Sequence, residues 1–395
     1  MIKKKILVIT INHVWYDSRL YYKIVKSLLK KNVEILLLTG SQISHCLPEI
    51  ESFTYQLIPK NKTKFSMLIY FIKQGVMFKP DIVICIEPLS LISGYILKQI
   101  NKSRFIYDCH EYYAEAFGEK VSLKFCKKHL RSLFTKLYWK FERFFASKTD
   151  SIITVNNQLV SCFKKINKNT YLCANYVTKE HLRSLDENVA LHSKQGDKES
   201  SLSYSSLRLP HLIYVGGLSF EKGLKIYLET AKLFKENDKN YSFMIIGTFK
   251  NQTTMQYFFD YITKHDLNDH VLYKPYLPHD IVLSEIKKAK IGVFLGDTSL
   301  SNRYEKTIHM KIIEYLSQSK PVIINKLAML SNLVNDSQGG WIIEYDSKEL
   351  YDLSINILKD DILLREKGKK GFDFITNNFV WENQEETLYK AVFGE

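Results

Sequence analysis

A glycine-containing segment carries the clearest chemistry in this sequence. Gly216 and Gly217 follow the apolar run His211–Val215 directly, and Lys222 comes shortly afterwards, where a helical pattern begins. Glycines let backbone N–H groups approach an anion closely, and the start of a helix favours negative charge. Lys222 adds an ammonium group at the same point. The segment therefore predicts a diphosphate site, while the alternative is a strand-to-helix turn whose glycines serve only the backbone.

A carboxylate and a second lysine lie further along, on the predicted helix His309–Ser317. The carboxylate of Glu314 can accept two hydrogen bonds from the vicinal hydroxyls of a ribose. Lys311 is three residues earlier and shares a helix face with Glu314. Residues at this spacing also form ion pairs on solvated helix surfaces, which is the alternative interpretation.

The elements that must position these groups alternate along the whole chain. Short β-branched runs such as Ile6–Ile11 and Ile291–Leu295 are separated by helical patterns such as Ser18–Lys31 and Leu224–Glu236. This alternation predicts βαβ units with parallel sheets covered on both faces. We therefore expect an α/β protein of two doubly wound, Rossmann-like domains facing each other across a cleft. Ligands of such sheets bind outside the carboxyl ends of the strands.

A polar, serine-rich stretch interrupts the pattern and predicts the domain division. Residues 1–180 form the expected N-terminal domain, 181–210 a linker or insertion, and 211–378 the C-terminal domain, followed by a terminal segment at 379–395. No apolar run is long enough to cross a bilayer. Neither the cysteines nor the histidines have metal-ligand spacing, so no metal site is predicted, and His279 is expected to be structural or exposed.

Charge is distributed unevenly between the two halves. The formal net charge is +14, and the excess lies wholly within residues 1–200. The stretch 119–148 is strongly basic, and its apolar residues recur at steps of three and four. Such a helix can lie on an anionic membrane surface, although ordinary domain helices show the same pattern. No nucleic-acid-binding motif accompanies the charge, so no nucleic-acid partner is predicted.

Several motifs together resemble a known family. Gly216-Gly217-Leu218 with Lys222-Gly223, and Lys311-Ile312-Ile313-Glu314-Tyr315 with Lys320-Pro321-Val322, are similar to the donor-domain motifs of GT-B glycosyltransferases. The similarity is to the retaining enzymes of glycosyltransferase family 4, the glycosyl transferases group 1. In the first half, Asp17-Ser18-Arg19 and Tyr107-Asp108-Cys109-His110-Glu111 resemble the acceptor domain of this family. The resemblance covers nearly the whole chain except the polar stretch.

The resemblance implies roles for individual residues. Lys222 is implied to hold the donor diphosphate with Gly216 and Gly217, Glu314 to bind the nucleotide ribose, and His110 to lie near the donor sugar and phosphate. Gly217 stands where many members have an arginine. The first glutamate of the family pair is also displaced. Glu305 and Lys306 are the candidates for its position, and Lys306 or Lys311 is expected to supply charge there.

On the acceptor side, this chain departs from the family pattern after the first strand. The segment Asn12–Tyr16 stands where the family has a glycine-rich loop. The acceptor-side candidates are therefore His13, Asp17, Glu111 and Tyr112. The segment that begins Trp381-Glu382 resembles the start of the family's terminal helix, which crosses back to the first domain.

The resemblance implies a retaining glycosyltransferase that moves a sugar from a nucleotide-diphosphate sugar to a saccharide or lipid-linked acceptor. Bacterial surface polysaccharide assembly, at the cytoplasmic face of the membrane, is the expected context. No Asp-x-Asp sequence occurs, so we expect a metal-independent enzyme without a cofactor. Two alternatives remain: a sugar-nucleotide epimerase of the same fold, which needs paired carboxylates from among Glu87, Glu111 and Glu115, or a basic, non-enzymatic nucleic-acid-binding protein.

Overall fold

The chain forms two compact units in a computed structural model. The structure describes residues 3–41, 50–59, 63–125, 130–183, 209–300, 304–305 and 307–394. Unit 1 comprises Met1–Asn175 together with Trp381–Glu395, and unit 2 comprises Tyr176–Val380. Most of the stretch 181–210, predicted to be a linker or insertion, lies outside the described residues.

Unit 1 contains a seven-stranded parallel sheet with the strand order β3-β2-β1-β4-β5-β6-β7. Its strands are β1 (Lys4–Thr10), β2 (Val33–Thr39), β3 (Phe53–Leu57), β4 (Ile82–Cys85), β5 (Arg104–Cys109), β6 (Ser151–Thr154) and β7 (Thr170–Leu172). Its helices are α1 (Lys26–Leu29), α2 (Lys64–Phe78), α3 (Leu91–Asn101), α4 (Tyr113–Phe125), α5 (Leu130–Ala146) and α6 (Asn157–Lys164).

Unit 2 contains a six-stranded parallel sheet with the strand order β10-β9-β8-β11-β12-β13. Its strands are β8 (Leu212–Val215), β9 (Phe243–Ile246), β10 (Val271–Lys274), β11 (Ile291–Phe294), β12 (Val322–Asn325) and β13 (Gly340–Ile343). Its helices are α7 (Lys179–Arg183), α8 (Leu224–Glu236), α9 (Gln252–His265), α10 (His279–Lys288), α11 (Met310–Ser317), α12 (Ala328–Ser337), α13 (Ser347–Ile357) and α14 (Asp361–Asn378).

The predicted α/β class is confirmed, and its physical basis is the burial of the strands on both faces. All four residues of β4, β9, β11 and β12 are buried. Short polar side chains begin several helices: Asn156, Asn251 and Asp346 each accept a backbone N–H of the following turn. In each sheet the strand order reverses beside the first strand, between β1 and β4 and between β8 and β11. Ligands of doubly wound folds bind at such points.

Two predicted helices differ from the structure. The pattern over Ser18–Lys31 predicts one α-helix, but Leu20–Val25 is a π-helix that continues into the short α1. The backbone N–H of Ile24 donates to the carbonyl of Arg19, which is the i to i−5 bond of that geometry. The basic stretch 119–148 is not one helix either, because it spans parts of α4 and α5.

The end of the chain belongs to unit 1. A short turn at Trp381–Gln384 leads into α15 (Glu385–Phe393). Trp381 is buried in a core cluster of unit 1, and its Nε1 donates to Ser27 Oγ at 2.8 Å. Gln384 donates to and accepts from the backbone of Ala174. The division between the units therefore falls after Asn175 and before Trp381, a few residues from the predicted bounds of 180 and 379.

Candidate active site

A tight backbone contact forms the glycine turn at the end of β8. Gly216 has a φ of +134°, which is unfavourable for any residue with a side chain, and its N–H donates to the carbonyl of Ile246 at 2.9 Å. Gly247 approaches so closely that a Cβ placed on it would lie 1.9 Å from the Gly216 carbonyl oxygen. Both glycines are therefore required by the geometry.

Two lysine side chains converge on this turn from different elements. Lys222 ends the short 3₁₀ turn Phe220–Lys222 that precedes α8, and its Nζ lies 3.3 Å from the position that a Cβ on Gly217 would occupy. Lys311, in the first turn of α11, has its Nζ 2.8 Å from the corresponding position on Gly216. The two ammonium groups therefore lie beside adjacent residues of the glycine turn.

The surroundings of Lys311 are aromatic rather than acidic. Its Nζ donates to Tyr214 Oη at 3.1 Å and lies 4.2 Å and 4.7 Å from the ring centroids of Tyr214 and Phe294. Within the described ranges, Lys311 forms no ion pair with a carboxylate. Burial, and then the nearby charge of Lys222, hold the pKa of Lys311 well below its usual range. Two lysine side chains beside one glycine turn suit a diphosphate, whose charge favours the ammonium form of both.

Glu314 lies one turn beyond Lys311 on α11, and its partner is a histidine. His279 Nε2 is 3.0 Å from Glu314 Oε1, and the two side chains are 21% and 13% exposed. The His279 ring also packs edge-on against His181. Neither Lys311 nor Glu314 is therefore engaged in the solvated ion pair that was the alternative interpretation.

His279 is a further candidate site residue, although its sequence context predicted a structural or exposed histidine. Its ring nitrogen holds the carboxylate that the resemblance assigns to the ribose. The available signal was its position: it directly follows Pro278 at the start of α10, in the connection that leaves the carboxyl end of β10. The spacing of the histidines in the sequence bears on metal binding, and it does not indicate a carboxylate partner for His279.

The resembled family has a pair of glutamates in this region, and Glu305 and Lys306 are the candidates for the first of them. The structure describes Glu305. Glu305 Oε2 accepts the backbone N–H of Ala328 at 2.6 Å, so this carboxylate caps the start of α12. Lys306 lies outside the described residues. Of the two lysine candidates, the structure describes Lys311, whose ammonium group reaches Gly216.

In unit 1, the loop after β1 is held by a buried carboxylate from the end of β4. Glu87 accepts hydrogen bonds from Thr10 Oγ1 and from the backbone N–H groups of Ile11 and Asn12, each at 2.9 Å. This carboxylate fixes the segment that replaces the family's glycine-rich loop. Its three bonds to one loop give Glu87 a structural role, which weakens it as a catalytic partner for the epimerase alternative.

His13 and His110 meet above this loop. Their Nε2 atoms are 3.2 Å apart, and His13 Nδ1 lies 3.4 Å from Asp17 Oδ2. Burial disfavours the charged ring, but the bond to Asp17 and the charges of Asp17, Glu87 and Glu111 outweigh it and raise the pKa of His13 to about 9. On the other side of its ring, His110 Nδ1 lies 3.6 Å from Asp108 Oδ2.

A buried ion pair supports this cluster from below. Arg19 donates from Nε and Nη2 to the two carboxylate oxygens of Asp108 at 3.0 Å and 2.6 Å. Burial opposes ionisation, but the Arg19 charge outweighs it and holds the pKa of Asp108 well below its usual range. Asp17 caps the following helix by accepting the N–H groups of Arg19 and Leu20. The acceptor-side candidates His13 and Asp17 are thus brought together with His110.

The remaining acceptor-side candidates lie at the edge of this cluster. Glu111 is exposed, and its charge contributes to the raised pKa of His13. Tyr112 Oη donates to Gln158 Oε1 at 2.9 Å on α6, so its hydroxyl points away from the histidines. Its neighbour Tyr113 is the tyrosine whose hydroxyl reaches His110 Nε2, at 3.3 Å.

The described residues contain neither a metal-ligand cluster nor a membrane-spanning helix. No group of three or more His, Cys, Asp or Glu residues in these ranges is arranged to hold a metal ion. Among the described helices, none combines the length and the apolar character needed to cross a bilayer.

Comparison with known sequences agrees with the motifs of unit 2. Residues 204–373 match the family described as glycosyl transferases group 1. A curated relative, alpha-D-kanosaminyltransferase from Streptomyces kanamyceticus, is 24% identical over 159 residues. That match spans 40% of this chain and 38% of the relative. The family resemblance predicted from the glycine turn and α11 is confirmed.

Solved structures with similar folds match along almost the whole chain. Sucrose-phosphate synthase from Thermosynechococcus elongatus has a TM-score of 0.70 at 15% identity, covering 99% of this chain and 100% of that one. HepE from Anabaena, solved with UDP-glucose, has a TM-score of 0.66 at 12% identity, with 98% of each chain covered. WaaG, a glycosyltransferase involved in lipopolysaccharide biosynthesis, has a TM-score of 0.67 at 13% identity, covering 98% and 99%. The fold is therefore GT-B.

Proposed function

We propose that this chain, whose residues 204–373 carry a glycosyl transferases group 1 domain, transfers a sugar from a nucleotide-diphosphate sugar to a saccharide or lipid-linked saccharide. The observation that carries the proposal is the convergence of Lys222 and Lys311 on the turn Gly216-Gly217. Glu314 lies one helical turn from Lys311, where a ribose attached to the bound diphosphate can reach it. A nucleoside diphosphate matches this combination of cations, backbone turn and carboxylate.

The chemistry follows from the charge that develops during transfer. Breaking the bond between the anomeric carbon and the diphosphate oxygen leaves negative charge on the diphosphate. Lys222 and Lys311 stabilise that charge, and each preorganised donor contributes about 3 kcal/mol by analogy with oxyanion holes. The acceptor hydroxyl attacks the anomeric carbon from the face that the diphosphate leaves, and its proton passes to the departing phosphate oxygen. We therefore propose retention of anomeric configuration, without a metal ion or a cofactor.

We propose that the cluster of unit 1 acts on the sugar side of the reaction. His110 and the charged His13 lie after β5 and β1, near the strand-order reversal of this sheet. Side chains that present a fixed N–H or a fixed acceptor can orient hydroxyl groups of a sugar. The buried Arg19–Asp108 pair lies beside His110, and His13 and Tyr113 contact its Nε2, which supports an orientation of the ring that is set before substrate arrives.

The cellular context is part of the same proposal. The basic residues of 119–148 support an acceptor that is met at an anionic membrane surface, with the protein bound peripherally on its cytoplasmic face. Lysine-, isoleucine- and asparagine-rich composition suits an AT-rich microbial genome, and assembly of a bacterial surface polysaccharide is the process that we propose.

The proposal is tested by incubating the protein with a panel of nucleotide sugars and measuring release of the nucleoside diphosphate. We expect one donor to be hydrolysed slowly in water and faster with an acceptor. Glu314→Gln is expected to lower kcat/KM about tenfold or more, since it removes a charged hydrogen-bond acceptor of the ribose. Glu366→Gln, which alters an exposed carboxylate on α14, is the matched control.

The same incubation distinguishes the alternatives. NMR of the products should show the nucleoside diphosphate and a glycoside with the anomeric configuration of the donor. An intact nucleotide sugar with an altered ring stereocentre would identify an epimerase and contradict transfer. A glycoside of inverted anomeric configuration would contradict the retaining mechanism and leave the donor site intact.

A further inference from the structure

Exposed apolar side chains of unit 1 are concentrated on three neighbouring helices. Eight of the sixteen large apolar side chains that are exposed among the described residues lie on α2, α3 and α5. On α2, Phe65 is 73% exposed, Ile69 52% and Met77 68%. Contiguous exposed patches, unlike single exposed residues, mark surfaces that contact another molecule.

The three helices form one layer, so their outer sides form one surface. Phe71 of α2, Leu97 of α3 and Ala146 of α5 belong to the same core cluster beneath the sheet. Gly75 of α2 lies against Leu97 of α3, where a Cβ would come within 2.5 Å of the leucine methyl. Exposed residues occur at 65, 69 and 76 on α2 and at 133, 137 and 144 on α5. The two helices thus expose apolar stripes with the same spacing.

The charges on this surface have one sign. The sequence from Pro59 to Pro80 contains five lysines and no acidic residue. The outer side of α5 carries exposed basic residues, including Lys136, Lys140 and Arg143. Glu142 is the carboxylate of these three helices, and it is buried. Two copies of such a surface would repel each other, whereas an anionic bilayer complements both the apolar stripes and the lysines.

We propose that α2, α3 and α5 together form a flat face that binds an anionic phospholipid bilayer, with Phe65 and Met77 of α2 inserted between the headgroups. This inference rests on the membrane association proposed above, and it assigns α2 a contact outside 119–148. It does not depend on the donor chemistry. The helix is fixed before contact, because Thr63 caps its start and Phe71 anchors its inner side.

The experiment measures binding of the full chain to vesicles of phosphatidylglycerol and phosphatidylcholine by flotation. We expect the double variant Phe65→Ser/Met77→Ser to weaken binding to phosphatidylglycerol vesicles at least tenfold. Lys64→Gln/Lys73→Gln should weaken it several-fold at low salt and less at high salt. Ile362→Ser changes a side chain of unit 2 that is 69% exposed, and it should bind like the unaltered protein.

The possible results bear on different parts of the proposal. Unaltered protein that binds no vesicle would overturn both this inference and the membrane association, while donor turnover could still support the transferase proposal. If Phe65→Ser/Met77→Ser binds phosphatidylglycerol vesicles as tightly as the unaltered protein, the assignment of this face is overturned, while the membrane association itself is not. A dimer in sedimentation that this variant abolishes, without vesicle binding, would identify a second copy as the occupant. Equal binding to phosphatidylcholine vesicles would overturn the choice of an anionic surface.

Discussion

At the scale of single residues, the two glycines of the turn differ in what they tolerate. Gly216 has a positive φ and lies against Lys311, whereas the space beside Gly217 is bounded only by the flexible end of Lys222. Gly216→Ala should therefore weaken nucleoside diphosphate binding at least tenfold, while Gly217→Ala should change it little. Gly217→Arg supplies the cation that many relatives have, so its binding should tighten about tenfold, or about 1.4 kcal/mol.

Calorimetric titration of the three variants measures these effects. Tighter binding by Gly217→Arg that disappears at high salt would show a gain from charge rather than from packing. Equal weakening by the two alanine variants would contradict the assigned geometry of the turn.

A buried carboxyl of unit 1 makes a second residue-scale prediction. Glu142 accepts from Tyr107 Oη at 2.6 Å, and burial outweighs this bond and raises its pKa to about 7 from the ordinary 4.5. The folded protein thus holds a proton that the unfolded chain releases. The stability from Glu142 is complete below about pH 4.5 and is lost as the pH rises through about 7, a change of about 3 kcal/mol.

Glu142→Gln removes this titration. Urea unfolding at pH 5 and pH 8 should show the variant gaining stability relative to the unaltered protein at the higher pH. Glu366→Gln should show no such pH-dependent difference. A stability difference for Glu142→Gln that is the same at both pH values would contradict the raised pKa.

Whether a residue can be proposed as a site residue from the sequence depends on how far away in the sequence its partners lie. Lys222 and Glu314 could be proposed from the sequence because the adjacent glycines and the helix pattern mark them locally. The partner of His279 is 35 residues distant. Glu87 was a candidate only for the epimerase alternative, and its bonds to the loop after β1 span 75 to 77 residues. Only the folded chain brings such pairs together.

At the scale of elements, the strands were the most predictable part of the fold. A parallel strand buried on both faces must be a continuous apolar run, so β4 and β11 stand out directly. The π-helix at Leu20–Val25 was not predictable, because its apolar spacing also fits an α-helix. The two helices of the basic stretch were merged for the same reason: apolar steps of three and four continue across their junction.

The packing of the terminal segment on the core of unit 1 can be tested by a single substitution. Trp381 is 1% exposed in the core of unit 1, and Arg19 lies over its ring. Trp381→Ala should lower the free energy of unfolding by about 3–5 kcal/mol, because it leaves a cavity and removes the hydrogen bond from the indole to the Ser27 hydroxyl. Urea unfolding measures the loss, with the exposed Ile362→Ala as control. An unchanged urea midpoint would contradict the packing of this segment on unit 1.

At the scale of the whole molecule, the two units divide their tasks by charge. Residues 1–200 carry the net positive charge of the chain, and part of it lies on α2 and α5. In unit 2, two placed lysines are proposed to meet the donor. A general excess of charge would attract any polyanion, but Lys222 and Lys311 are positioned by a glycine turn and two aromatic rings. We therefore expect donor binding to depend on Lys222 and Lys311 and not on the net charge of the protein.

Unit 2 is proposed to hold a nucleoside diphosphate at Gly216-Gly217, and calorimetric titration of UDP, GDP, ADP and dTDP measures that binding. We expect saturable binding of at least one of them, weakened about tenfold or more by Lys222→Met and by Glu314→Gln. Lys264→Met, an exposed lysine at the end of α9, should bind like the unaltered protein. Binding that neither site variant weakens, or no binding of any nucleoside diphosphate, would contradict the account.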